Sequence, residues 1–167
     1  MTAEEIEIAR STPNYRFDAP ATTPPPETAI VEAAPASADA IAFVDRVVND
    51  REQPVTLFAL EWCEFCWSVR RMFAKLGIAY RPIDIDSVEY QKDDRGGKIR
   101  AALTARTSVA TIPQVFVGGE FIGGATDVFD AYKRGRLQQL LDKNHVAFDR
   151  ALQIDPYSFL PTWLHPK

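Results

Sequence analysis

The sequence predicts an α/β fold, a four-stranded mixed sheet flanked by helices. Short apolar, β-rich runs alternate with segments whose apolar residues recur every three or four positions, and Gly-Gly pairs punctuate the second half. An early strand–helix–strand order with a short return implies parallel pairing of the first two strands. Order begins near Ser37, a good N-cap, with Ile41, Val44, Val47 and Val48 on one helical face. The run Val55–Leu60, bounded by Pro54 and Glu61, is the first strand. Val69, Met72, Phe73 and Leu76 then recur at helical spacing, and Gly77 closes that helix as a C-terminal cap. Tyr80–Asp86 places Ile83 and Ile85 on one face of a second strand. Ser87–Gly97 is polar and charged and ends in Gly-Gly, a loop or a broken helix. Ile99, Ala102 and Leu103 face one way on a helix running to about Arg106. Gln114–Val117, the turn Gly118-Gly119 and Glu120–Ile122 form a hairpin. After Gly123-Gly124, a helix opens at Ala125-Thr126-Asp127 with Val128, Phe129 and Tyr132 inward. Gly135 interrupts, and Leu137, Leu140 and Leu141 continue in a last helix.

The flanks differ from this middle. Residues 1–36 hold six of the twelve prolines, including Pro24-Pro25-Pro26, with Ala, Thr and Glu between them. Such a segment buries too little apolar surface to offset its ordering entropy and is expected to be disordered or extended. Within it, Asn14-Tyr15-Arg16-Phe17 is either a docking patch or two stray aromatics in a linker. Residues 37–143 make the folded domain, and residues 144–167 a C-terminal extension. That extension carries Phe148, Leu152, Ile154, Tyr157, Phe159, Leu160, Trp163 and Leu164, too many apolar residues for a solvated tail. Pro156, Pro161 and Pro166 forbid a long helix there. It wraps back over the domain, or docks on a partner or a second copy.

At 167 residues the chain suits one domain with tails, and no apolar run approaches a membrane span. The polar, acidic Met1–Arg10 does not read as a secretory signal or transit peptide, which points to the cytoplasm. The net charge of −4 argues against nucleic acid as a partner. Seven acids against two arginines in residues 1–40 leave the rest of the chain at +1, so its surface can still present a basic patch to an anionic substrate.

The two cysteines, Cys63 and Cys66, stand where the first strand hands over to its helix. A Cys-x-x-Cys at that turn is the thioredoxin-like redox arrangement. Cys63 falls at the helix N-terminus, where free N–H groups and the macrodipole stabilise a thiolate. Cys66 lies one turn inside, more buried and placed to attack a disulfide formed at Cys63. Two other readings compete. A structural zinc site needs about four ligands, and His145 and His165 lie far downstream without metal-type spacing. Inert core cysteines are a common fate of buried thiols.

Four stretches in this order and spacing resemble the glutaredoxin family, over about Ser37 to Lys143. They are the Cys63/Cys66 pair, Thr111-Ile112-Pro113, the hairpin running into Gly123-Gly124, and Ala125-Thr126-Asp127. The resemblance implies a thioredoxin-like fold, a cis Pro113 facing the active site, and glutathione as reducing co-substrate. A cis proline would leave the Ile112 backbone able to pair with an extended thiol peptide. Gly123 and Gly124 let a ligand approach closely, and Thr126 would cap a helix whose N–H groups suit the γ-glutamyl carboxylate. Arg100 matches the family's position for the glycine carboxylate, which a guanidinium binds bidentately. Phe65 stands where the family has a tyrosine, an apolar wall beside Cys63. Lys98 and Arg106 read as solvated helix charges.

The chain departs from the family in three ways. Leu60 replaces the usual lysine three residues before the first cysteine and Glu61 follows it, which disfavours the thiolate and weakens the case for ordinary glutathione affinity; Arg70 and Arg71 compensate in part. Cys-Glu-Phe-Cys replaces Cys-Pro-Tyr-Cys, which loosens the turn and sets Glu64 beside the thiolate. Both flanking segments lie outside the family pattern.

The expected function is that of a dithiol, glutathione-dependent thiol–disulfide oxidoreductase acting on protein disulfides and glutathionylated proteins, with Cys63 as nucleophile and Cys66 as resolving thiol. The glutathione site would be Phe65, Arg100, Thr111, Ile112, Pro113, Gly124, Ala125, Thr126 and Asp127. No nucleic acid, membrane or resident metal is expected, and the enzyme would act as a monomer. The resemblance also raises an alternative, since some members with tryptophan before the first cysteine and no proline after it bind a two-iron two-sulfur cluster. Cys63 from each of two copies and two glutathiones would then ligate it. A third reading is an adaptor whose C-terminal segment recruits a client.

Overall fold

A computed structural model describes residues 36–161. The expectations for residues 1–35, including Asn14-Tyr15-Arg16-Phe17, and for Trp163, Leu164, His165 and Pro166 lie outside the described residues. Four strands form one sheet: β1 (Val55–Ala59), β2 (Arg81–Asp84), β3 (Gln114–Val117) and β4 (Glu120–Gly123), in spatial order β2-β1-β3-β4. β1 pairs parallel to β2, with Phe58 opposite Ile83, and antiparallel to β3, with Leu57 opposite Val115. The sheet is therefore mixed, as expected. β1 is central and buried along its whole length, which explains why its sequence is apolar rather than strictly alternating.

The two faces of β1 feed two cores. Val55, Leu57 and Ala59 join Val115 and Val117 under α2 (Glu64–Leu76), α4 (Ala125–Lys133) and α5 (Arg136–Lys143). Phe58 and Phe116, edge to face at 5.7 Å, meet α1 (Ala38–Val48) and α3 (Arg95–Thr107) on the other side. Ser37 caps α1 by accepting the Ala40 N–H. The inward residues of α1 are Ala40, Val44, Val47 and Val48, at i, i+4, i+7 and i+8. Ile41 does not belong to this face: about 100° further round the helix, it is 42% exposed.

The Ser87–Gly97 stretch resolves into two short 3₁₀ turns, Val88–Tyr90 and Lys92–Asp94, and then α3, which starts at Arg95. Gly96 and Gly97 are thus inside a helix rather than in a loop. The reason is steric: a Cβ on Gly96 would stand 1.9 Å from the Ile85 carbonyl oxygen, so only glycine lets the first turn of α3 rest on the end of β2. Gly77 ends α2 in the left-handed conformation at φ 68°, where glycine carries no Cβ penalty.

Residues 144–161 lie along α2 and α4. The Asp149 amide donates to Leu76 O (2.8 Å), and the 3₁₀ turn Pro156–Phe159 touches both helices. Ser68 Oγ donates to Phe159 O (2.8 Å), and Tyr157 OH to Asp130 Oδ1 (2.6 Å). Phe148, Leu152, Ile154, Tyr157, Phe159 and Leu160 cover the α2–α4 core from outside. No described helix is long and apolar enough to cross a membrane.

Gly96→Ala forces backbone rather than a flexible side chain to move. It is expected to destabilise the fold by about 1–3 kcal/mol, read as a lower urea midpoint.

Candidate active site

β1 ends at Ala59, and a short turn delivers Cys63 to the N-cap of α2. The backbone there is extended (φ −88°, ψ 114°), and Cys63 Sγ accepts the Cys66 N–H at 3.3 Å. The Cys63 carbonyl accepts from Trp67 N (3.0 Å), so both polar ends of the residue are tied into the first turn. The sulfur thus sits at the N-terminus of the helix, receiving one of its first amides. Cys63 is half-buried and Cys66 fully buried; both are free thiols. Burial, reinforced by the bond to Cys63, pushes the Cys66 thiol up to about 12. The arrangement therefore separates one accessible sulfur from one held protonated.

A cleft of about 460 Å³ starts at Phe65, two residues past Cys63, and is lined also by Val109, Thr111, Ile112, Pro113, Phe121, Ile122, Gly123, Gly124, Ala125, Thr126 and Asp127. It gathers eight of the nine residues expected to hold glutathione. The Ile112–Pro113 peptide is cis. Buried Gln114 fixes the loop before it, its Nε2 donating to Val109 O (2.7 Å) and Thr111 O (3.2 Å). Arg100 is the residue not in the lining; its Nε donates to Ala110 O (3.2 Å), one position before Thr111.

At the far wall Thr126 does not cap α4. Gly124 is the N-cap, and Asp127 Oδ2 reaches back to accept the Gly124 N–H at 2.9 Å, the return half of a capping box. Gly123, at φ 130°, packs against this carboxylate; a Cβ there would lie 2.4 Å from Asp127 Oδ2. The side chain of Thr126 is left exposed, and the first amides of α4, which have no intrahelical acceptor, border the cleft.

The opposite side of Cys63 is built differently. Leu60 turns inward against the Phe58–Phe116 core. The Glu61 amide donates to the Asp86 carboxylate (2.9 and 3.2 Å), and Trp67 Nε1 to Glu61 O (2.7 Å). Arg70 pairs with Asp84 and lies over the Trp67 ring at 5.0 Å, so its charge is already engaged, while Arg71 is exposed further along α2. Sequence reasoning did not single out Val109, Phe121, Ile122, Gln114 or Asp86 as part of the site. Only the last turn of the capping logic, Gly followed three residues later by Asp, was available as a signal.

Because folding raises the Cys66 value from 9.0 to about 12, the folded chain holds that proton more tightly than the unfolded chain. Its contribution to stability is complete below pH 9.0 and lost as pH climbs toward 12. Denaturant titrations across that window should show a steeper alkaline loss for wild type than for Cys66→Ala. At neutral pH, iodoacetamide should label Cys63 and spare Cys66 in peptide mass spectra.

The glutaredoxin family model matches residues 55–122. Among curated relatives, mitochondrial glutaredoxin-2 of Bos taurus is 33% identical over 92 residues, 55% of each chain. Glutaredoxin-C1 of Arabidopsis thaliana is 31% identical over 101 residues, 60% of this chain and 77% of that one. A glutaredoxin of Solanum lycopersicum is 38% identical over 88 residues, 53% of this chain and 77% of that one. The match thus spans about half the length of the bovine protein and three quarters of the two plant ones. A crystal structure of a buckwheat glutaredoxin–glutathione complex superposes with a TM-score of 0.58 at 32% identity, covering 65% of this chain and 93% of that one. With a thiol pair at the N-terminus of α2, a cis Ile112–Pro113 peptide and relatives at this level of identity and coverage, the chain belongs to the glutaredoxin family.

Proposed function

We propose that this chain is a dithiol glutaredoxin that reduces protein disulfides and glutathione mixed disulfides at the expense of glutathione. The observation that carries the reading is the unequal pair: Cys63 Sγ, half-buried at the N-cap of α2 and accepting an amide, and Cys66 buried and protonated behind it. On a glutathionylated client, the Cys63 thiolate attacks the glutathione sulfur. The client leaves as a thiolate and Cys63 carries glutathione through a new S–S bond. A second glutathione thiolate attacks that glutathione sulfur, releasing glutathione disulfide and restoring Cys63.

On a protein disulfide, Cys63 attacks one sulfur and expels the other as a thiolate, which takes up a proton. Cys66 then loses its proton and attacks Cys63 Sγ, freeing the client's second thiolate and closing a Cys63–Cys66 disulfide. Two glutathiones reopen it and leave as one glutathione disulfide. Phe65 walls the bound glutathione, and the Ile112 backbone between Thr111 and Pro113 pairs with it. The Gly124, Ala125, Thr126 and Asp127 turn receives the γ-glutamyl carboxylate at the start of α4. Arg100, anchored at Ala110 beside the cleft, is the group for the glycine carboxylate. The buckwheat relative, seen in complex with glutathione, supports glutathione as the ligand. Leu60 contributes no charge, which leaves backbone amides and Arg100 as the anion-binding groups.

We assign the enzyme to a reducing compartment, the cytoplasm, and to turnover as a monomer; the mitochondrial name of the bovine relative meets the same redox requirement. Among the described residues no group of three or more His, Cys, Asp or Glu could hold a metal ion. A two-iron two-sulfur cluster would need Cys63 of a second copy and two glutathiones.

The test is turnover of a glutathione mixed disulfide. Wild type should be active, Cys63→Ser should fall to background, and Cys66→Ser should keep its activity on this substrate while losing it on protein disulfides. Inactive wild type with folded, free thiols would overturn the proposal.

A further inference from the structure

We propose that the side of Cys63 away from the glutathione cleft is a client-docking rim that selects disulfides flanked by basic and apolar residues. The inference rests on the reductase reading and deepens it by naming the substrate class. Cys63 stands at the end of the central strand, with β3 and β4 carrying the cleft on one side and β2 running out on the other. On the β2 side, Trp62 is 90% exposed although it adjoins the nucleophile, and Val88 is 81% exposed. Neither is needed by the core. An exposed indole beside a reactive sulfur marks a contact surface rather than a packing residue.

The charge around it has one sign. Glu61 and Asp86 are both exposed, and the Glu61 amide bonded to the Asp86 carboxylate holds their two loops together. Glu89 is exposed three residues further on. The nearest cation of α2, Arg70, is drawn inward by Asp84 and covered by Trp67. Arg71 lies two turns along that helix from Cys63. A lysine or arginine of the client would meet carboxylates here, and the Trp62 face would attract it as well. An apolar neighbour would cover the rest of the indole. Acidic clients would be repelled from the same surface.

The probes are two synthetic peptides of equal length, each with one glutathionylated cysteine, flanked by Arg and Leu in one and by Glu and Ser in the other. With the full chain, kcat/KM should favour the basic peptide by about tenfold at low salt, and the preference should shrink in about 0.5 M salt. Glu61→Lys should erase or invert the preference. Trp62→Ala should lower kcat/KM on the basic peptide by about tenfold. Trp62→Ala should leave turnover of the small mixed disulfide of glutathione and mercaptoethanol unchanged, and the Glu61→Lys effect is read as the ratio of kcat/KM on the two peptides, which a change at the Cys63 sulfur itself leaves alone. Equal rates on the two peptides alongside normal turnover of the small disulfide would overturn the proposal. If the small disulfide is not turned over, the reductase reading fails by itself. Indole quenching on titration with each peptide then decides the rim: tighter binding of the basic peptide, lost in Trp62→Phe, supports it, and equal binding overturns it. Self-association that shields Trp62 without any peptide would also overturn it.

Discussion

The amide-to-sulfur contact at the start of α2 is the constraint from which the site follows. For Cys63 to cap the helix, the chain must leave β1 in an extended conformation and enter α2 within a few residues. That requires β1 to be central, because only a strand buried on both faces fixes the turn from below. The apolar run Val55–Ala59, the two aromatic contacts of Phe116 and the packing of Met72 and Phe73 all serve this geometry. Cys66 then falls on the inward face of the helix by arithmetic alone, three residues on. Its buried thiol and the half-buried sulfur of Cys63 differ through position, not through any specialised charged neighbour.

This economy matters because the chain lacks the usual lysine. With Leu60 packed against the core and Arg70 held by Asp84, the Cys63 sulfur meets the helix terminus rather than a charged side chain. The cleft shows the same reliance on backbone. Its far wall is organised by Asp127 reaching back to Gly124, and its near wall by Gln114 holding two carbonyls in place. Side chains thus shape the cleft largely by orienting main-chain groups.

The elements with a strong period were legible in the sequence. Four strands, the α2 terminus at Gly77 and the hairpin at Gly118-Gly119 rest on patterns that act over a few residues. What escaped depends on distance in the chain. Gly96 is helical because Ile85 O lies against it, which local propensity opposes. Ile41 loses its inward place to Ala40 because the sheet determines which face of α1 is covered. Thr126 resembled a cap, but the Asp127 carboxylate reaches the amide first. Gln114 looked like an ordinary strand residue, and its role appears only when the loop from Val109 to Thr111 folds over it. The glutathione-site residues from Thr111 to Pro113 and Gly124 to Asp127 were readable because they come as two contiguous pieces.

The contacts of residues 144–161 carry a consequence for how the molecule is made. The apolar layer formed by α2 and α4 has its outer side closed by Phe148, Leu152, Tyr157 and Phe159, and α2 is fastened to this cover through Ser68. On the ribosome, the sheet, the thiol pair and the five described helices emerge before that cover does. Until it follows, a nascent domain presents a greasy flank beside a reactive sulfur, the surface a chaperone would hold.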